Sequence, residues 1–91
     1  MDNRDNIYLQ GYLKGKELSE NKNIPLVEFN TNILQGSHLL NRYSINGISR
    51  NFKSDEDFIN HLKEKFKKKE IVFITYSFFK VEIICGTIKQ F

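Results

Sequence analysis

The chain has 91 residues, 40% of them hydrophobic and 27% charged, and its formal net charge is +3. This length fits one domain, because two would leave neither half enough core, and the composition is that of a globular protein, not a disordered one. No apolar run approaches the roughly 20 residues of a membrane helix, and the polar N-terminus lacks the pattern of a signal peptide. A single cysteine, Cys85, suits a reducing compartment. We therefore expect a cytoplasmic protein without membrane contact.

Strands dominate the predicted elements. After a flexible N-terminal stretch, residues 1–5, we expect a single domain over residues 6–91. Apolar and polar residues alternate in three segments, which predicts strands at 7–14, 26–34 and 39–48. The stretch 71–91 consists almost entirely of strand formers and predicts two more strands, with a turn near 79–80. Asn46-Gly47 is a candidate tight turn, because both residues tolerate positive φ.

One helix is predicted between the third and fourth strands. Ser54 and Asp57 form a pair that resembles a capping box, and acidic residues in the first turn suit the positive end of a helix. Four apolar residues recur at helical spacing and predict one buried face: Phe58, Ile59, Leu62 and Phe66. The lysines that follow suit the C-terminal end, and we interpret the run 63–70 as a solvated helix end.

This order of elements is the order of the OB-fold. Five strands with a helix between the third and fourth form a small barrel that binds oligonucleotides, so we predict a mainly β, five-stranded OB-fold barrel. An α+β fold, in which an antiparallel sheet carries one helix packed across it, has the same order and remains the alternative.

Three stretches carry a resemblance to a known family. Residues 7–13 (IYLQGYL), 26–29 (LVEF) and 86–91 (GTIKQF) resemble the first, second and closing strands of bacterial single-stranded-DNA-binding proteins and the related primosomal OB-fold protein. The resemblance implies an OB-fold that binds single-stranded DNA in replication or repair. The long DNA-gripping loop of that family is reduced here to a turn, and its acidic C-terminal tail is missing, so the resemblance implies a minimal or accessory version.

Binding of single strands requires aromatic rings that stack on bases and cations that neutralise phosphates. The chain holds eight Phe and four Tyr residues, more than a core of this size needs. We predict a shallow cationic groove with little sequence selectivity, in which the rings stack on bases and the cations contact phosphates. Its predicted members are Tyr8, Tyr12, Phe73 and Phe79, with Lys14, Lys16 and Arg42. Alternatively, these rings are buried by loops, by the helix or by a second subunit.

Catalysis has little support in the sequence. His38, His61 and Cys85 could in principle form a nucleophile and base, but Cys85 lies within an apolar strand and is expected to be a buried structural thiol. Neither metal-ligand spacing nor a glycine-rich phosphate loop is present, and the acidic run 55–57 is explained by helix capping. We therefore expect no enzyme, no cofactor and no metal site.

Two other functions fit the same composition. The chain could be a small phage or mobile-element protein that binds or inhibits a host protein through an exposed aromatic surface. It could also be a homo-oligomeric subunit that buries its aromatic residues between copies. Salt dependence distinguishes the first of these from nucleic-acid binding, because phosphate contacts weaken steeply with ionic strength and apolar contacts do not.

Overall fold

The computed structural model describes residues 3–35, 38–77 and 80–88. The described elements are α1 (Asn3–Lys22), β1 (Leu26–Gln35), β2 (His38–Ile45), β3 (Ile48–Arg50), α2 (Asp55–Lys65), β4 (Glu70–Tyr76) and β5 (Val81–Thr87). The strands form one sheet in the order β3-β2-β1-β4-β5. β1 and β4 run parallel, whereas the other neighbours run antiparallel. The fold is therefore α+β, with a mixed sheet.

The predicted first strand is wrong, because residues 7–14 lie in the helix α1. The residues that face the sheet follow helical spacing, at Tyr8, Tyr12 and Gly15. Leu9 and Leu13 lie on the outer side of the helix and are 52% and 53% exposed. The alternation that predicts a strand therefore combines residues from different sides of one helix. The residues that follow, as far as Lys22, belong to the same helix.

The sheet is not closed into a barrel. Among the described strands, β3 and β5 form two free edges, so the predicted OB-fold is not confirmed. The α+β class of the alternative is confirmed, although the sheet is mixed and carries two helices. The predicted turn at Asn46-Gly47 is confirmed as well: both residues have positive φ, 53° and 80°, and the turn divides the predicted third strand into β2 and β3.

α1 packs against one face of the sheet. The buried residues of this face are Leu26, Val72, Ile74 and Tyr76. Gly15 lies directly above Ile74, where a Cβ atom would overlap the Ile74 side chain. At the start of the helix, the Tyr8 hydroxyl donates a hydrogen bond to the carbonyl oxygen of Ser77. The Tyr8 ring packs edge to face against the Tyr76 ring, with 5.9 Å between the ring centroids. Tyr8 and Gly15 therefore anchor α1 to the sheet.

α2 packs against the opposite face of the sheet. The predicted helix and its cap are confirmed, since the Ser54 side chain accepts a hydrogen bond of 3.2 Å from the backbone N–H of Asp57. The helix buries Phe58, Leu62 and Phe66 against the side chains of Val27, Tyr43, Ile45, Ile71 and Phe73. This layer contains most of the core. Each such large apolar side chain contributes about 1.5–3 kcal/mol on burial.

Candidate nucleic-acid interface

The predicted aromatic residues that the structure describes are partly or wholly buried. Phe73 is only 7% exposed and lies beneath α2, with its ring centroid 6.5 Å from that of Phe58, so its ring is not exposed as the predicted groove requires. Tyr8 and Tyr12 are half-buried between α1 and the sheet. Phe79 lies outside the described residues. Stacking requires a free ring face, which the buried Phe73 ring does not present.

The predicted cations are exposed but are not gathered at one place. Lys14 and Lys16 are two residues apart on α1 and therefore project about 200° apart around the helix axis. Lys16 Nζ lies 6.0 Å from the ring centroid of Tyr12. Arg42 lies on β2, opposite Asn30 of β1, on the face of the sheet that carries α1. Of the predicted residues that the structure describes, it brings together only Tyr12 with Lys16, and Tyr8 one turn before them.

A hydrogen-bonded carboxylate lies on the part of this face next to α1. Glu28 accepts a hydrogen bond of 2.8 Å from the Tyr76 hydroxyl and one of 3.2 Å from the Ser44 hydroxyl. Burial and the bond to Glu28 both raise the pKa of Tyr76. Each carboxylate oxygen of Glu28 accepts one of these hydrogen bonds, so the network connects β1, β2 and β4.

The residues considered for catalysis lie apart. Cys85 Sγ lies 3.3 Å from Glu70 Oε1, and Lys22 Nζ lies 3.1 Å from the same oxygen. Burial, followed by the hydrogen bond to Glu70, raises the pKa of Cys85, so the thiol stays protonated near neutral pH. The His61 ring packs beside the Phe52 ring, with 5.2 Å between the ring centroids. The side chain of His38 lies outside the described part of the chain. The described residues include no group of three or more potential metal ligands.

The densest positive charge lies at the C-terminal end of α2. Within residues 63–69 there are five lysines and one acidic residue, Glu64. All five lysines are exposed, and none forms an ion pair with any residue that the structure describes. Lysines in the last helical turn are stabilised by the helix dipole. However, α2 ends at Lys65, so the three lysines that follow it are not explained in this way: Lys67, Lys68 and Lys69.

A crevice of about 670 Å³ opens beside these lysines. It lies between the end of α1, the β2–β3 turn and the start of β4, because both helices end at the same end of the sheet. Of the five lysines, Lys69 alone lines the crevice. The other lining residues supply apolar surface, a hydroxyl, two side-chain amides and two carboxylates: Ile24, Pro25, Ser19, Asn23, Asn46, Glu20 and Glu70. We name the five lysines and this crevice the basic end.

Hydrogen bonds fix two walls of the crevice. Asn46 Oδ1 accepts a bond of 2.9 Å from the backbone N–H of Leu26, which ties the β2–β3 turn to β1. The Ser19 hydroxyl donates a bond of 2.6 Å to the carbonyl oxygen of Ile24, which holds the connection after α1. Two hydrogen bonds between a side chain and the backbone therefore hold these walls in place.

Sequence reasoning missed most of the basic end. The three consecutive lysines beyond the helix were a signal, but Asn23 and Asn46 are far apart in the sequence and meet only through the fold. No family model, curated protein or solved structure matches this chain.

Proposed function

We propose that this protein binds single-stranded nucleic acid, above all single-stranded DNA, at the basic end and with little sequence selectivity, as an accessory of replication, repair or a mobile element. The observation that carries the proposal is the set of five exposed lysines without described ion-pair partners beside an open crevice. Lysines that neutralise phosphates release condensed counterions, which supplies sequence-independent affinity.

The crevice explains a preference for single strands. Its volume of about 670 Å³ lies in the range of small-molecule sites, about 300–1,000 Å³, and accommodates an unpaired base. Ile24 and Pro25 contact the flat face of the base. The Asn23 amide can bond to its edge, and so can the NH₂ group of Asn46, whose oxygen already accepts a bond from Leu26. Amides donate and accept hydrogen bonds, so different bases fit. A paired base in a duplex cannot enter, because its edge is occupied and it is stacked on both sides.

The experiment is a titration of the protein with a labelled oligo-dT of about 30 nucleotides, long enough for one site, at low and high salt with unlabelled duplex DNA as competitor. We expect binding that weakens with salt and resists the duplex. The triple variant Lys67→Gln, Lys68→Gln, Lys69→Gln should reduce the slope of log affinity against log salt by about 2, because each phosphate contact on a single strand contributes about 0.7.

A matched triple variant provides the control. Lys14→Gln, Lys16→Gln, Arg42→Gln removes the same charge from α1 and β2, where the sequence predicts the site. If this control loses as much affinity as the first variant, the basic end is not the site. Absence of oligo-dT binding at low salt contradicts the proposed function altogether.

One observation favours a second candidate function, the binding of a host protein. Leu9 and Leu13 lie one turn apart on the outer side of α1 and are 52% and 53% exposed, and adjacent exposed apolar side chains of this kind are typical of protein-binding surfaces. The candidate surface is aliphatic and not aromatic. Binding of this kind persists at high salt, and Leu9→Glu with Leu13→Glu should abolish it while oligo-dT binding is unchanged.

A further inference from the structure

β5 leaves one backbone edge of the sheet free. Within the described chain it pairs with β4 alone, in an unbroken register from Tyr76↔Val81 to Glu70↔Thr87. Natural edge strands are commonly shortened, bulged or protected by lysine or proline. β3, at the other edge, has only three residues. β5 has seven residues, VEIICGT, with neither lysine nor proline among them. Its edge is therefore suited to pair with another extended strand.

The hairpin determines which groups point to this edge. The backbone N–H of Ser77 donates to the carbonyl oxygen of Lys80 at 3.0 Å, so these two residues form a hydrogen-bonded pair. Because such pairs alternate along an antiparallel ladder, Glu82, Ile84 and Gly86 direct their backbone groups toward β4. The residues between them direct theirs to the free edge: Val81, Ile83, Cys85 and Thr87.

We propose that this edge binds β5 of a second copy of the chain, antiparallel and about a two-fold axis at Ile84. In this register Val81 pairs with Thr87 of the second copy, and Ile83 with Cys85. Every outward-pointing backbone group of β5 then has a partner, whereas a shift of two residues leaves one end of the strand unpaired. Two-fold dimers are the commonest closed assemblies, and this one would continue the sheet across both copies.

The side chains of β5 are compatible with those of β5 in the second copy. Ile84 is 39% exposed and lies opposite Ile84 of the second copy in a non-hydrogen-bonded pair, where side chains approach most closely. The one charged residue of the strand, Glu82, is paired with Lys80 at 2.9 Å. It lies opposite Gly86 of the second copy, so no like charges meet across the interface. The edge is thus complementary to itself in backbone, apolar contact and charge.

Sedimentation equilibrium of the full chain tests this dimer. We expect the mass to rise from 10.8 kDa toward twice that value between low and high micromolar concentration. Ile84→Lys should raise the dissociation constant of the dimer at least about tenfold, because it places like charges opposite each other. Ile48→Lys is the matched control, since Ile48 is an isoleucine on the other edge strand and is 60% exposed. Circular dichroism verifies that both variants fold.

Two results overturn the proposal. One is a wild-type chain that stays monomeric at every concentration, and the other is a dimer that Ile84→Lys leaves intact. A cysteine variant tests the register. In a Cys85→Ser background, Ile84→Cys places two thiols in a pair whose Cα atoms are about 4.5 Å apart, within disulfide range. We expect a covalent dimer after mild oxidation, and none with Ile48→Cys. A dimer that Ile84→Cys does not cross-link overturns the two-fold axis at Ile84.

Discussion

The hydroxyl of Tyr43 donates a hydrogen bond of 2.6 Å to Oδ1 of Asp55, and this bond joins β2 to the first turn of α2. The Asn41 side-chain amide donates a second bond, of 2.8 Å, to the same oxygen. Tyr43 is only 4% exposed, and its ring stacks on Phe29 at 5.2 Å. Asp55 therefore does more than complement the helix dipole, because it also fixes the helix to the sheet.

Tyr43→Phe should lower the free energy of unfolding by about 1–2 kcal/mol, because it removes a hydrogen bond to a charged acceptor. The loss stays in this range because the exposed Asp55 carboxylate can still bond to water. Urea unfolding measures the loss. Tyr12→Phe is the control, since the Tyr12 hydroxyl makes no hydrogen bond with a described residue, and its effect should stay within about 0.5 kcal/mol. Equal effects of the two variants would show that the Tyr43–Asp55 bond does not stabilise the fold.

Stability should fall in alkaline solution. Burial, with the bond to Asp55 second, raises the pKa of Tyr43 from 10.0 to about 12. Between these values the unfolded chain loses the phenol proton and the native protein keeps it, so rising pH favours the unfolded state. The free energy of unfolding should decline from pH 10 through about pH 12, and Tyr43→Phe should make the decline shallower. Tyr76, Cys85 and Lys22, whose pKa values are also raised, contribute to the decline that remains. An identical decline in Tyr43→Phe contradicts the shift.

The sequence predicts α2 well because its signals are local. The Ser54 cap, the acidic first turn and the apolar spacing all lie within one segment and agree with each other. The local signals of α1 do not agree with each other. Its own apolar residues are spread around all sides of the helix, and Gly11 and Gly15 disfavour a helix. Those glycines lie where α1 approaches Val81 and Ile74 closely, and only the tertiary structure reveals that reason.

The candidate site was harder to predict than the fold. Phe73 and Tyr8 match the residue types that bind single strands, but the sheet and helices bury them, wholly for Phe73 and partly for Tyr8. The crevice of the basic end forms where Asn23, Asn46 and Lys69 meet, and these residues belong to three separate connections. The spacing of these residues along the chain does not indicate that they lie together, so a motif search cannot find the crevice.

Cys85 should react slowly with iodoacetamide at neutral pH, because burial and the hydrogen bond to Glu70 raise its pKa and only the thiolate is nucleophilic. Glu70→Gln removes the carboxylate that stabilises the protonated thiol. We expect alkylation to become faster, because the pKa of the thiol falls toward its ordinary value and more of it is thiolate.

The control for this measurement is Glu82→Gln. It makes the same change of charge on β5, at a carboxylate paired with Lys80 and not with the thiol. Its alkylation rate should equal that of the wild type. A Glu70→Gln rate that equals the Glu82→Gln rate would mean that burial alone holds the pKa of Cys85 up.

Gly15→Ala tests the close packing of α1 on β4. On a free helix this change is stabilising by about 1 kcal/mol, but here the new Cβ would overlap Cδ1 of Ile74, a side chain with no exposed surface. We expect a net loss of about 1–3 kcal/mol from overpacking, measured by urea unfolding. Asn21→Ala, at an exposed position of the same helix, should instead stabilise by a few tenths of a kcal/mol, since it gains helix propensity without a clash.

A double variant distinguishes this overlap from a general effect on the helix. Ile74→Val removes Cδ1, the atom nearest to the added Cβ, and alone costs about 0.5–1.5 kcal/mol. Combined with Gly15→Ala, it should cost at least about 0.5 kcal/mol less than the sum of the single changes, because contacting residues are not additive. Additive losses, or a stabilising Gly15→Ala, would mean that α1 does not pack on Ile74 as closely as the structure places it.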